Sequence, residues 1–156
     1  MKKYELTDET IEFDGRTLHR IRSLRDLGDV KQGDLGGFIA KEDNLSHHGN
    51  CWIGGYAKVY DDAKVYENAQ VYGYAHVYDN SRIYGKAEVF DEPCIYGHAE
   101  VYGDAYIYDR ARVYGNAQVY GDAHVYGHAK IYGDACVCWN DWINGDKRIS
   151  TGEKTR

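Results

Sequence analysis

A six-residue repeat runs through most of this chain of 156 residues and restricts its possible folds more than any other feature. Fifteen consecutive blocks cover residues 51–140 without an insertion and follow the consensus A-x-[VI]-Y-[GD]-[ND]. The third position, slot three, is Val or Ile in all fifteen blocks, and slot one is Ala in twelve. A period of six with alternation inside each block excludes an α-helix, whose apolar residues recur about every 3.6 residues. The repeat therefore predicts stacked units of one short strand each.

Each slot of the block has a physical interpretation. Slots one and three lie two residues apart, so their small and β-branched side chains share one face of a strand and form the predicted core. Slots two and four point to the opposite face. Slots five and six are mostly Gly, Asp, Asn and His, which tolerate tight corners. Repetition of a four-residue strand and a two-residue corner predicts a parallel β-coil whose turns lie about 4.8 Å apart.

The blocks resemble those of hexapeptide-repeat proteins, because an aliphatic residue follows two positions after a small one, as Val59 follows Ala57. The resemblance implies an all-β fold, namely a single-stranded left-handed parallel β-helix of about five triangular coils. The rod formed by these coils would be roughly 24 Å long. The left hand and the triangle come only from the resemblance, because strand physics favours right-handed crossovers. Residues 29–53 and 142–150 resemble the entry and exit segments of uncharacterised enterobacterial and phage or prophage members. Such members are labelled transferase or polymer-forming protein, names that rest on the fold.

The chain divides into three segments on this basis. Residues 1–50 form an N-terminal capping segment with a β-hairpin, because Asp14-Gly15 between two predicted strands suits a two-residue type I′ turn. The hairpin is expected to cap the first coil and to cover its free strand edge. Residues 51–140 form the β-helix, and residues 141–156 form a closing segment and a tail.

Tyrosine accounts for 16 residues, and slot four places twelve of them, together with Phe90, in three rows along the rod. With three blocks per coil the rows fall on three faces, numbered in chain order from the block that begins at Cys51. Face one carries Tyr72, Phe90, Tyr108 and Tyr126, face two carries Tyr60, Tyr78, Tyr96, Tyr114 and Tyr132, and face three carries Tyr66, Tyr84, Tyr102 and Tyr120. Stacked rings stabilise a β-ladder. They also offer a contact surface for self-association or for a ring-bearing ligand, and both interpretations stay open.

Face two differs from the other faces in the cations that slot two places among its tyrosines. Its slot-two residues include no acid, whereas face one and face three each include a glutamate. Cations suit phosphate groups and aromatic rings suit a base, so face two is the predicted site for a phosphate-bearing aromatic ligand. The candidate ligand-binding residues are Lys58, Tyr60, His76, Tyr78, Tyr96, Arg112, Tyr114, Lys130 and Tyr132. The alternative is chance, because seven of the fifteen slot-two residues are Lys, Arg or His and four of them fall on this face.

We predict no catalytic residue, no metal ligand and no cofactor. The sequence lacks G-x-G-x-x-G, P-loop, G-x-S-x-G and H-E-x-x-H motifs. Resemblance to hexapeptide acyltransferases implies a histidine as general base, and the candidates are His76, His98, His124 and His128. Two of these occupy corner slots, where a polar residue is expected anyway. Cys136-x-Cys138 supplies only half of a zinc site.

These features favour a non-enzymatic binding scaffold. The phage-like end segments suggest an accessory protein that binds a host protein or sequesters a nucleotide-like small molecule against host defence. The alternatives are an acyltransferase that uses acyl-CoA and a purely structural, self-associating module. The resemblance implies that the protein is a homotrimer. A net charge of −6 argues against general DNA binding, and the apolar runs are too short for a membrane span. Four cysteines without an export signal predict the cytoplasm, that of the host cell if the protein is phage-encoded.

Overall fold

Each six-residue block forms one two-residue strand from its slots two and three, and three blocks complete one turn of a parallel coil. The computed structural model describes residues 2–150. Strands of successive turns pair in register, as Lys58 pairs with His76 and Val59 with Val77. The all-β parallel coil that the repeat predicted and the three faces that the resemblance implied are both confirmed.

Three sheets run along the rod, one on each face, with strands labelled in chain order. Face one contains β4 (Trp52–Ile53), β7 (Gln70–Val71), β10 (Glu88–Val89), β13 (Tyr106–Ile107), β16 (His124–Val125) and β19 (Trp142–Ile143). Face two contains β5 (Lys58–Val59), β8 (His76–Val77), β11 (Cys94–Ile95), β14 (Arg112–Val113), β17 (Lys130–Ile131) and β20 (Arg148–Ile149). Face three contains β6 (Lys64–Val65), β9 (Arg82–Ile83), β12 (Glu100–Val101), β15 (Gln118–Val119) and β18 (Cys136–Val137).

The solenoid has about six turns where the sequence predicted about five. Strands β19 and β20 continue faces one and two beyond residue 140. Before the repeat, β3 (Leu35–Ile39) pairs in parallel with β5, and Leu45 bridges to Val65 on face three. The added blocks at the C-terminal side keep an isoleucine in slot three but lack the alanine of slot one, so they depart from the consensus. The predicted tail from residue 151 onwards lies outside the described residues.

A 3-10 helix at Glu42–Asn44 links β3 to face three. The Asn44 side chain is buried, accepts hydrogen bonds from the amides of Ala40 and Lys41, and donates one to the Ala63 carbonyl oxygen at 2.9 Å. This asparagine therefore satisfies backbone groups where the chain enters the coil. No helix within residues 2–150 is long and apolar enough to cross a membrane.

The interior of the rod consists of slots one and three, as the repeat predicted. These side chains form one continuous core along the coil and are almost all fully buried. Burial of each Val or Ile stabilises the fold by about 1.5–3 kcal/mol relative to exposure. Within the fifteen consensus blocks the polar residue in slot one is Ser81, which donates a hydrogen bond to the carbonyl oxygen of Tyr78 at 2.9 Å, so its hydroxyl is satisfied.

The N-terminal hairpin consists of β1 (Tyr4–Phe13) and β2 (Arg16–Ser23). Asp14 and Gly15 have φ angles of 52° and 79°, which fit the predicted type I′ turn. Strand β2 pairs antiparallel with β3, so the hairpin extends the sheet of face two beyond the first turn. Buried Tyr4 and Ile21 join the core at this end. The predicted β-hairpin cap is confirmed.

Candidate functional site

Slot four forms the predicted aromatic ladders on all three faces. From Tyr60 to Tyr132 on face two, neighbouring ring centroids lie 4.9–5.2 Å apart and the ring planes are within 8° of parallel. From Tyr66 to Tyr120 on face three the centroids lie 4.8–4.9 Å apart. Phe90 takes its place in the face-one row, 5.3 Å from Tyr72. The tyrosine ladder is therefore confirmed.

Stacking limits what a ladder can offer to a ligand. Each interior ring is covered on both sides by the rings of the preceding and following turns, so it presents only its edge and hydroxyl to solvent. Stacking of a ligand on such a ring would require the ladder to open, at the cost of the ring–ring contacts. The ring-binding interpretation therefore applies only to the rings at the ends of a ladder.

The tyrosine hydroxyls connect each turn to slot two of the next turn. The Tyr84 hydroxyl donates a hydrogen bond to Glu100 at 2.8 Å, and the Tyr102 hydroxyl donates one to Gln118 at 3.0 Å. On face two the same step joins Tyr96 to Arg112, and this hydrogen bond raises the pKa of the Arg112 guanidinium. The Arg112 side chain is thus held beside the ladder.

The hairpin covers the N-terminal half of face two. The Phe13 ring packs 5.7 Å from that of Tyr60 and 5.2 Å from that of His76, and the ammonium of Lys58 lies 5.3 Å from the Phe13 centroid. Tyr60 is only 4% exposed. Burial lowers the pKa of both Lys58 and His76, and the Lys58 charge lowers that of His76 further. These three candidate ligand residues therefore lie beneath the hairpin.

An arginine at the start of β2 holds the hairpin against face two. Arg16 Nε donates a hydrogen bond to Asp61 Oδ1 at 2.6 Å, and its guanidinium carbon lies 5.0 Å from the Tyr60 ring centroid. Beyond the covered residues, Tyr78 and Cys94 line a cavity of about 280 Å³ against the hairpin. Tyr78 thus lies at the border between the covered and open halves of face two.

The C-terminal half of face two is open and basic. Strands β14, β17 and β20 place Arg112, Lys130 and Arg148 in register in three successive turns. At the usual spacing of parallel strands the row extends over about 10 Å. Both arginines are exposed and Lys130 is half-buried. Within residues 2–150 none of the three cations lies at ion-pair distance from an acid.

This basic row borders an open groove of about 680 Å³ that is also lined by Arg110, His128 and Asp146. Arg110 donates a hydrogen bond to Glu92 at 3.1 Å, so its charge is partly neutralised. The structure brings together five of the predicted residues along this groove and ladder, namely Tyr96, Arg112, Tyr114, Lys130 and Tyr132. Sequence reasoning missed Arg148, which follows the last consensus block, although its place six residues after Trp142 could have indicated it.

The candidate general bases occupy positions that packing explains. The His124 ring is stacked between Tyr106 at 4.8 Å and Trp142 at 3.9 Å, and burial lowers its pKa. His76 lies beneath Phe13, as described above. His98 and His128 are exposed at corners. Cys136 and Cys138 are both free thiols.

Comparison with known proteins agrees with the fold. A family model described as the YdcK beta solenoid repeat matches residues 105–121. Over 61 residues the chain is 39% identical to the uncharacterized acetyltransferase YdcK of Escherichia coli strain K12. The match covers 34% of this chain and only 19% of that relative's length. Both matches fit a hexapeptide-repeat β-helix family of enterobacterial type, which confirms the resemblance indicated by the sequence.

Proposed function

We propose that this protein is a non-enzymatic scaffold that binds an anionic, nucleotide-like small molecule on the open half of face two. The observation behind this proposal is the row of Arg112, Lys130 and Arg148, held in register beside the edges of a tyrosine ladder. Guanidinium groups bind phosphate through paired, charge-assisted hydrogen bonds, and lysine adds a point charge. Strand pairing fixes the spacing of these residues along the face, which reduces the entropy lost on binding.

Calorimetric titration with inorganic tripolyphosphate tests the anion site. We expect binding by the wild-type protein and a loss of affinity of about tenfold to a hundredfold in Arg112→Ala, because hydrogen bonds to charged groups contribute about 1.5–3 kcal/mol. Arg82→Ala is the matched control, since Arg82 also occupies slot two but pairs in register with Glu100 on face three. Equal affinities of wild type and Arg112→Ala would contradict the proposal.

The phage-like end segments supply the proposed setting, a phage-encoded protein that sequesters its ligand from host defence. Mass spectrometry of small molecules released by denaturing protein from infected and uninfected cells would identify that ligand. A host protein is the alternative partner. If denaturation releases no small molecule, the proposed partner becomes a host protein. The homotrimer implied by the resemblance is part of the proposal, and analytical ultracentrifugation measures it.

Acetyl transfer is a second candidate, favoured by the name of the partial relative YdcK. Acetyl-CoA carries phosphates and a base, so the same groove would suit it. An acetyltransferase should be stabilised against heat by acetyl-CoA and should release free thiol in the presence of an acceptor amine or sugar. If acetyl-CoA stabilises the protein against heat but no acceptor leads to release of the CoA thiol, the result favours the scaffold.

A further inference from the structure

The aromatic ladder of face two ends in a ring with one open side. Tyr132 stacks on Tyr114 with ring centroids 5.2 Å apart, and within residues 2–150 no other ring contacts it. One turn further on, slot four is Ser150, whose side chain is too small to cover a phenol ring. Tyr132 is half-buried, and among the described residues no ring covers its outer side, which points towards the C-terminal end of the rod.

The last rings of the other two ladders have different surroundings. The Tyr126 ring on face one lies 6.0 Å from the Trp142 ring at 88°, so tryptophan packs beside it. The Tyr120 hydroxyl on face three is hydrogen-bonded with the Cys138 thiol, which is buried in slot four of the next turn. Only the open side of Tyr132 lies on the face that carries the basic row.

The groups that would contact the base and the phosphates of a nucleotide lie close together at this end of face two. Tyr132 and Lys130 lie two residues apart on the same side of one strand, which is about 6.6 Å. Arg148 and Ser150 repeat this arrangement in the next turn, and Arg148 lies near enough to Tyr114 to lower the pKa of its hydroxyl, although burial raises that pKa overall. A base stacked on Tyr132 would therefore place its sugar towards Lys130 and Arg148, and further phosphates would reach Arg112.

We propose that the ligand is a nucleoside polyphosphate bound in one orientation, an inference that rests on the proposed function. Its base stacks on the open side of Tyr132, and its phosphates follow the row from Arg148 to Arg112. Stacking of a base on an aromatic side chain increases affinity substantially, whereas the cations hold the phosphates. Tyr132 is thus the residue that distinguishes a nucleotide from a bare polyphosphate.

Titrations with ATP and with inorganic tripolyphosphate separate the two contributions. We expect ATP to bind the wild-type protein about tenfold more tightly than tripolyphosphate, in line with the strength of base stacking. Tyr132→Leu should abolish this difference and leave the affinity for tripolyphosphate unchanged. Trp142→Leu is the matched control, because Trp142 is an exposed terminal ring, 57% exposed, on the face without the basic row. Circular dichroism of both variants verifies that the ladders remain folded.

Each outcome decides a different statement. Equal binding of ATP and tripolyphosphate by the wild type would overturn ring recognition while the anion site stands. Loss of the ATP preference in Trp142→Leu but not in Tyr132→Leu would overturn the assignment to Tyr132. Absence of binding by both probes would overturn the proposed function and this inference together.

Discussion

Slot five, the first corner residue of each block, combines two demands that few side chains meet. All sixteen slot-five residues from Gly55 to Gly145 have φ between 55° and 71°, a region costly for most L-residues. The space is also narrow, since a Cβ on Gly115 would lie 2.8 Å from the amide nitrogen of Gly133. Where an acid replaces glycine it compensates, as Asp109 Oδ2 accepts a hydrogen bond from the Gly127 amide at 2.9 Å. Glycine and acidic residues thus occupy slot five for different physical reasons, and Trp139 is the exception.

We predict that Asp109→Ala lowers the free energy of unfolding by about 1–2 kcal/mol, because alanine keeps the strained φ and loses the hydrogen bond. Asp109→Gly should cost less, since glycine relieves the strain. Asp104→Ala in the exposed slot six is the control and should change stability by less than about 0.5 kcal/mol. Urea unfolding measures all three variants. A cost of Asp109→Gly equal to that of Asp109→Ala would show that backbone strain contributes nothing.

The hairpin is the element that decides how much of face two is available. Strands β1 and β2 extend the face-two sheet, and Phe13 near their turn lies over the outward side chains of the first two turns of face two. Strand β1 is the end strand of this sheet and carries exposed acids, including Glu5, Glu9 and Glu12. Charge at a free edge discourages pairing with another chain. The hairpin therefore caps the core, protects the edge and confines the groove to the C-terminal half.

We predict that Phe13→Ala raises the pKa of His76, because the burial that lowers this pKa is removed. In the wild type the unfolded chain binds the proton more tightly than the folded one, so the free energy of unfolding falls as the pH drops through about 6.5. The variant should lose part of this dependence. NMR titration of the His76 ring measures the shift, with Glu12→Ala as a control on the same strand. An unchanged pKa of His76 would contradict the covering role of Phe13.

The ladders link the stability of the whole rod to the protonation of its tyrosines. Burial raises the pKa of Tyr72 and Tyr78 to about 12, and Glu88 contributes at Tyr72. Between about pH 10 and these values the unfolded chain has lost phenol protons that the folded rod retains. The resulting contribution to stability is complete below about pH 10 and is lost as the pH rises towards 12.

We predict cooperative unfolding of the rod between about pH 10 and pH 12, with tyrosinate absorbance and loss of the β-sheet signal in circular dichroism changing together. Tyr78→Phe keeps the ring and removes one ionisable hydroxyl, so the free energy of unfolding should fall less steeply with pH in this variant. Deprotonation of Tyr72 and Tyr78 near pH 10 with the β-sheet signal intact would mean that these phenols titrate in the folded rod, contrary to this prediction.

The repeat by itself determined the parallel coil and the role of each slot, because each slot recurs every six residues and every copy experiences the same surroundings. Buried slots one and three, corners at slots five and six, and tyrosine ladders at slot four all follow from that period. Only the tertiary structure decided which part of face two stays open. The packing of Phe13 on Tyr60 and His76 depends on the β2–β3 pairing and has no periodic signal in the sequence. The sixth turn and the addition of Arg148 to the basic row likewise depend on strand pairing beyond the consensus blocks.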